Sequence, residues 1–314
     1  MEFYSSICAR TSSLFTKEYS TSFSLGILAF EKRFREPIYS VYGYVRLADE
    51  IVDTFHGHDK QTLLCEFREE TYKAIERGVS TNPILHAFQE VVNKYKIDRE
   101  YIDAFLDSME MDLYNNYYEE KKYDEYIYGS AEVVGLMCLR VFTEGDDEMF
   151  KQLLEPARAL GSAFQKVNFL RDIKSDIDER GRIYLPNVDS EHGIDDENKK
   201  LLEDSIRAEF KLSLEGIRKL PPGVRLGVYS AYLYYIKLFD KICSKKVQHL
   251  MKERTRVPDP VKLLLLTKSI IEVKVLKTYS FFIVRCSCYR RECRKSRSRS
   301  LNKGLYPQDI LCRG

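Results

Sequence analysis

Gln165, Asn168, Asp172 and Asp176, in the stretch GSAFQKVNFLRDIKSD (161–176), follow one another in steps of three, four and four. On a helix that advances about 100° per residue they share one face within roughly 80°. Val167, Leu170, Ile173 and Ile177 occupy a separate apolar sector. A second stretch, YSVYGYVRLADEIVD (39–53), repeats the pattern with Tyr42, Arg46, Asp49 and Asp53 in steps of four, three and four. Val41, Val45, Ala48 and Val52 cover one of its other sectors, and Tyr44, Leu47 and Ile51 another. Only the narrow seam, with Glu50 beside it, is polar. A surface helix shows a wider polar face, so this helix is expected to be buried on most sides, with its seam lining an internal cavity.

Carboxylates on successive turns repel when ionised, and desolvation in a cavity raises the cost. A cation removes the problem. Mg2+ accepts one or two carboxylates, keeps several waters and binds phosphate oxygens at the same time. Two facing D-x-x-x-D pairs therefore point to a diphosphate held through Mg2+. DERGRIYLP (178–186) adds Arg180, Arg182 and Tyr184 just past the second pair, and Arg171 immediately precedes Asp172. Guanidinium forks suit phosphate oxygens. One D-x-x-x-D alone is ordinarily a solvated face, and one arginine alone a surface ion pair. The coincidence of two seams carries the reading.

Helical periodicity dominates the elements that must position these seams. Ile102, Leu106, Met109 and Leu113 recur at i, i+4, i+7 and i+11. Breaks are expected at Pro37, Gly78–Pro83, Gly129, Glu144–Asp147, Gly181–Pro186 and Pro221–Gly223. No repeat of fixed period is present, which argues against a solenoid. The chain reads as one all-α domain over 1–277 and a separate stretch, 278–314. Within the latter, RCSCYRRECRKSRSRS is basic and lacks apolar periodicity, as in disordered segments. A patch for nucleic acid or acidic lipid, or an end foreign to the chain, are the alternatives for it.

The 314 residues are ample for a sizeable core, and 50 basic against 48 acidic side chains call for no nucleic-acid partner. Four of the eight cysteines are scattered, as small buried hydrophobes are in a reducing compartment. Cys286, Cys288, Cys293 and Cys312 match no zinc spacing and have no histidine near them. The first residues carry no basic segment followed by a long apolar one, so no signal peptide is expected. Val261–Val284 is apolar but carries Lys262, Lys268, Glu272, Lys274 and Lys277, so it reads as an amphipathic helix plus a terminal segment rather than a span. An interfacial role for it stays open.

Four stretches resemble the squalene/phytoene synthase family. STSFS (20–24) resembles its early Ser-Phe motif, and YGYVRLADEIVD (42–53) its first aspartate-rich region. YIYGSAEVVGLM (126–137) resembles its tyrosine-rich region, and residues 161–186 its second aspartate-rich region nearly throughout. The resemblance implies a single-domain isoprenoid-synthase helical bundle around a central cavity. It implies a Mg2+-dependent prenyltransferase, with Mn2+ an acceptable substitute, that joins two prenyl diphosphates head to head. Two C20 geranylgeranyl diphosphates giving 15-cis-phytoene is the favoured reaction. Two C15 farnesyl diphosphates giving squalene or dehydrosqualene is the alternative. NADPH is not expected.

Carried over by position, Asp49, Asp53, Asn168, Asp172 and Asp176 would hold metal. Ser22, Phe23, Tyr42, Arg46, Gln165, Arg171, Arg180 and Tyr184 would line the substrate site with Asn168, and Tyr126 would stand near the reacting carbons. Tyr19 and Glu132 depart from the family pattern, standing where relatives often have a basic residue or histidine and a glycine. A cytoplasmic location is implied, with room for peripheral contact at the inner face of the membrane. A non-catalytic helical assembly factor would have little use for both aspartate pairs, and a one-substrate terpene cyclase would not need R-G-R-x-Y-L-P.

Overall fold

The computed structural model describes residues 1–114, 118–186, 188–189 and 193–275. The boundary expected at 277 and the basic stretch beyond it lie outside these residues.

The chain builds a helical bundle. Helices α1 (Glu2–Tyr19), α2 (Thr21–Leu28) and α3 (Lys32–Asp53) come first, and α1 packs along α3. Then follow α4 (Lys60–Arg77), α5 (Pro83–Tyr95) and α6 (Arg99–Tyr114). Helices α7 (Glu120–Ile127) and α8 (Val133–Phe142) are joined by a π-turn, Tyr128–Glu132. Helix α9 (Asp147–Asp178) has 32 residues, a rod about 48 Å long at 1.5 Å per residue. A two-residue hairpin, β1 (Val188–Asp189) with β2 (Gly193–Ile194), precedes α10 (Asp196–Lys219), which packs along α9. Helices α11 (Pro222–Cys243), α12 (Val247–Leu250) and α13 (Asp259–Ile270) complete the bundle.

The breaks follow local chemistry. Gly78 closes α4 in the left-handed region (φ 69°), and Asn82 accepts from the Ile84 N–H at 3.0 Å with Pro83 at the first helical position. Asp146 caps α9 by accepting from Glu148 and Met149, each at 3.0 Å. Two expected breaks do not occur. Helix α3 runs through Pro37, five residues past its first, where the missing N–H costs one early helical hydrogen bond. Gly129 does not end a helix either. It lets the π-turn lie against α6, where an added Cβ would meet the Ala104 carbonyl oxygen at 2.3 Å and Ser108 Cβ at 2.6 Å.

The core follows the expected apolar sectors. Val41, Ala48, Val52, Val167, Leu170 and Ile173 are buried, and Ile177 lies at the margin. On α6 the buried line runs from Ile102, Phe105, Leu106 and Met109 to Asp112, while Leu113 is only half-buried. Val261–Val275 falls in α13, which starts at Asp259, and the π-turn after it; Ser269 is the buried residue of α13 and Leu263 and Leu264 are exposed. No described helix is long and apolar enough to cross a membrane.

Candidate active site

The two seams occupy the C-terminal halves of α3 and α9. Gln165, Asn168 and Asp172 are half-buried on α9, and Asp176 is buried. Tyr42, Arg46, Asp49 and Asp53 are half-buried on α3, with Glu50 buried beside them. Arginines join the seams. Arg180 donates to Asp176 Oδ1 at 2.6 Å and stands 3.7 Å from Asp53 Oδ2. Arg182 donates to Asp53 Oδ1 at 2.8 Å and to the Tyr184 hydroxyl at 3.1 Å. The turn after α9 aims both side chains back. Gly181 takes φ 64°, and the Arg182 N–H reaches the Asp176 carbonyl at 2.9 Å.

Each seam has its own cations. Arg46 pairs with Glu50 and stands 3.6 Å from Asp49 Oδ2, with its guanidinium 4.5 Å above the Tyr19 ring. Thus Tyr19, one of the two departures from the family pattern, supports the arginine of the first seam. The other, Glu132, accepts from Arg158 Nε at 2.7 Å. On α9, Arg171 donates to Asp172 Oδ1 at 2.9 Å, and Arg254 approaches the same oxygen at 2.6 Å. Asn168 accepts from the Tyr235 hydroxyl at 3.2 Å, and that ring stacks on Phe164. Phe23 stacks on Tyr42 at 4.5 Å between centroids. The side chain of Ser22 lies outside the described residues.

A depression of about 360 Å3 opens at the α9 seam, with Arg171, Asp172, Arg180, Lys252, Arg254 and Arg256 among its lining residues. Six basic and four acidic side chains line it, a small positive excess.

Behind the seams is a residue that the spacing arguments did not single out. Asp112 on α6 is buried, and its Oδ1 accepts from the Tyr118 hydroxyl at 2.9 Å and the Tyr184 hydroxyl at 3.1 Å. Its Oδ2 accepts from the Tyr126 hydroxyl at 2.9 Å and lies 3.7 Å from Arg182 Nη1. Arg254 and Tyr235, likewise not singled out, come from elements far along the chain. The available signal for Asp112 was a carboxylate on the apolar face of α6, i+7 from Phe105 and i+3 from Met109.

Burial pushes the carboxyl of Asp49 up to about 7 against the opposing pull of Arg46. Burial also raises Asp176 to about 7 and Asp112 to about 6, against Arg180 and Arg182 respectively. Burial acts on Asp172 too, but Arg171 and Arg254 outweigh it and hold that carboxyl below the usual range. So Asp49 and Asp176 retain capacity for further positive charge.

The donor set fits a hard divalent cation: Asp49, Asp53, Asp172 and Asp176 offer carboxylate oxygens and Asn168 an amide oxygen. Among the described residues no three acidic, histidine or cysteine side chains form a ready-made cage.

The sequence model of the squalene/phytoene synthase family matches residues 16–260. The chain is 28% identical over 287 residues to a phytoene synthase of Arthrospira platensis, covering 83% of this chain and 92% of that one. It is 29% identical over 286 residues to a 15-cis-phytoene synthase of Synechocystis sp., covering 83% and 84%. In fold it is similar to a crystal structure of a dehydrosqualene synthase, with TM-score 0.74 and 23% identity over 86% of this chain and 98% of the other. The squalene synthase HpnC of Alicyclobacillus acidocaldarius is also similar, with TM-score 0.65 and 24% identity over 75% and 93%. With the motifs in order and the family match spanning most of the chain, this protein belongs to the squalene/phytoene synthase family.

Proposed function

We propose that the chain joins two geranylgeranyl diphosphates head to head, through a cyclopropyl diphosphate, to give 15-cis-phytoene and diphosphate. The observation that carries this is the bridge between the seams: one guanidinium, Arg180, reaches Asp53 of α3 and Asp176 of α9. Two carboxylate walls spanned by one guanidinium suit two diphosphates. The relatives named phytoene synthase support the C20 substrate over the C15 one.

Asp49 and Asp53 would hold cation on one wall, and Asn168, Asp172 and Asp176 on the other. Bound Mg2+, or Mn2+ in its place, neutralises diphosphate charge as the carbon–oxygen bond breaks. Arg46, Arg171 and Arg180 donate to the oxygens of the departing group, which leaves with the bonding electron pair. Gln165 and Asn168 orient it from α9, and Phe23 with Tyr42 closes the side toward α2. The allylic cation is attacked by the C2–C3 double bond of the second substrate, and a proton is lost as the cyclopropane closes. A second ionisation, rearrangement and proton loss give the conjugated triene without a hydride donor. The buried rings of Tyr126 and Tyr184 exclude water, which would capture the cation as an alcohol.

The product is lipophilic. Exposed Leu25 and Leu28 on α2 and Leu263 and Leu264 on α13, two helices that both pack on α11, support peripheral membrane contact from a cytoplasmic position.

The test is purified protein with C20 or C15 diphosphate, with and without Mg2+ and NADPH, followed by product chromatography. Phytoene from the C20 substrate, dependent on Mg2+ and indifferent to NADPH, is expected. Turnover of the C15 substrate alone would move the assignment to squalene or dehydrosqualene. No turnover of either in Mg2+ would contradict the enzyme reading.

A further inference from the structure

Asp112 belongs to neither seam, and among the described residues it touches no seam carboxylate. Yet its two oxygens gather four groups from three other parts of the chain. Tyr118 comes from the segment before α7, Tyr126 from α7, and Arg182 and Tyr184 from the turn after α9. Each of the four is buried. A buried carboxylate is retained where hydrogen bonds satisfy it, and here three hydroxyls donate while Arg182 stands 3.7 Å away.

The arrangement has two consequences for the site. Arg182 Nη1 donates to Asp53 Oδ1 at 2.8 Å and lies 3.7 Å from Asp112 Oδ2, so the charge on α6 helps to place the guanidinium that holds a first-seam carboxylate. The tyrosine rings are also assembled into a wall. Tyr118, Tyr126 and Tyr184 lie 4.9–5.3 Å apart between centroids, and Phe169 of α9 stacks on Tyr184 at 4.7 Å with an interplanar angle of 12°. Phe169 stands at about 40° from Gln165 on α9, beside the seam itself. Ring faces carry negative electrostatic potential and attract cations. A phenol that donates to a carboxylate gains electron density, and so does its ring.

We propose that Asp112 is a positioning residue: by holding the hydroxyls of Tyr118, Tyr126 and Tyr184 it sets the aromatic wall that faces the allylic cation, and through Arg182 it braces Asp53. This rests on the head-to-head reading above. The wall acts on a charge that appears only after ionisation, so its effect belongs to the transition state rather than to substrate binding.

The experiment compares full-length wild type, Asp112→Asn, Tyr126→Phe and the double variant with C20 diphosphate and Mg2+. Asp112→Asn keeps the shape and removes the charge. Its kcat is expected to fall about 30-fold or more, with KM within about threefold of wild type. Because the two residues act as a unit, the double variant should be no more than about threefold worse than the poorer single one. Ring-labelled tyrosine NMR should show three tyrosines shifted in Asp112→Asn, a readout that needs no turnover. If Asp112→Asn does not fold, Tyr118→Phe replaces it, and should lower kcat about fivefold at unchanged KM. A wild-type kcat in the Asp112 variant (or in Tyr118→Phe, where that stands in), or penalties that multiply in full, would overturn the role. A wild type that turns over neither substrate would overturn the head-to-head reading and this role with it. A turning-over wild type separates the two.

Discussion

The α3 and α9 seams have the same spacing but distribute their cations in opposite order. On α3 it is the later carboxylate, Asp53, that meets two arginines, Arg180 and Arg182. Asp49, one turn earlier, has Arg46 at 3.6 Å and is pushed up to about 7 by burial. On α9 the earlier carboxylate, Asp172, meets Arg171 and Arg254 and is held low, while Asp176 has Arg180 and is pushed up to about 7. Each wall therefore has one carboxylate already neutralised by protein and one that still favours an added positive charge. Binding a divalent cation asks least of the structure at Asp49 and Asp176, and the arginines on Asp53 and Asp172 remain close enough to turn toward phosphate oxygens.

The largest effect that tests this contrast is on turnover. Asp49→Ala, Asp172→Ala and Asp176→Ala should each lower kcat/KM by about a thousandfold or more, with an unchanged circular dichroism spectrum. Retained activity in any one of them would make that seam structural. Arg180→Lys keeps the charge but loses the fork that spans the seams, and kcat/KM should fall about tenfold. Full activity there would show that the bridge is dispensable.

Stability without ligand should separate the two kinds of carboxylate. Asp172→Asn leaves Arg171 and Arg254 facing a neutral group and should lower stability by about 1–3 kcal/mol. Asp49→Asn removes a half-buried charge that its neighbours Asp53, Asp112 and Glu50 oppose, and should leave stability unchanged or raise it by less than about 1 kcal/mol. Chemical denaturation reads both, and equal losses would remove the contrast.

The smallest effect is in pH. Asp49 and Asp176 have folded-state pKa values above the ordinary carboxylate value of about 4, so these two groups hold more protons in the folded chain than in the unfolded one between pH 4 and 7. Their contribution to ligand-free stability is complete below about pH 4 and is lost as pH rises through 7. Cation binding needs the ionised form, so stabilisation by Mg2+ with diphosphate should run the other way. The rise in Tm on adding both should be a few degrees larger at pH 8 than at pH 6. A rise independent of pH would place the cation elsewhere.

The seams were legible in the sequence because helical spacing alone puts both carboxylates of a pair on one face. Arg180, Arg182 and Tyr184 were legible because they follow the second pair within eight residues. Asp112 was not, since a single carboxylate has no partner at helical spacing and its four contacts come from positions 118, 126, 182 and 184. Arg254 and Tyr235 reach the α9 seam across more than 60 residues, a distance at which local pattern carries no information. Pro37 and Gly129 were read as breaks from their intrinsic preferences, yet α3 runs through Pro37 and a π-turn carries the helical path past Gly129. At Gly129 the deciding factor is the close approach of α6, visible only once the helices are assembled.

The central claim is that the two seams hold two diphosphates at once. Calorimetric titration of the wild type with a non-ionisable geranylgeranyl thiodiphosphate in Mg2+ tests it most directly. Two molecules per chain are expected, falling to one in Asp49→Ala and one in Asp176→Ala, with no binding when Mg2+ is withheld. One molecule per wild-type chain, or a stoichiometry that neither substitution changes, would contradict a two-walled site.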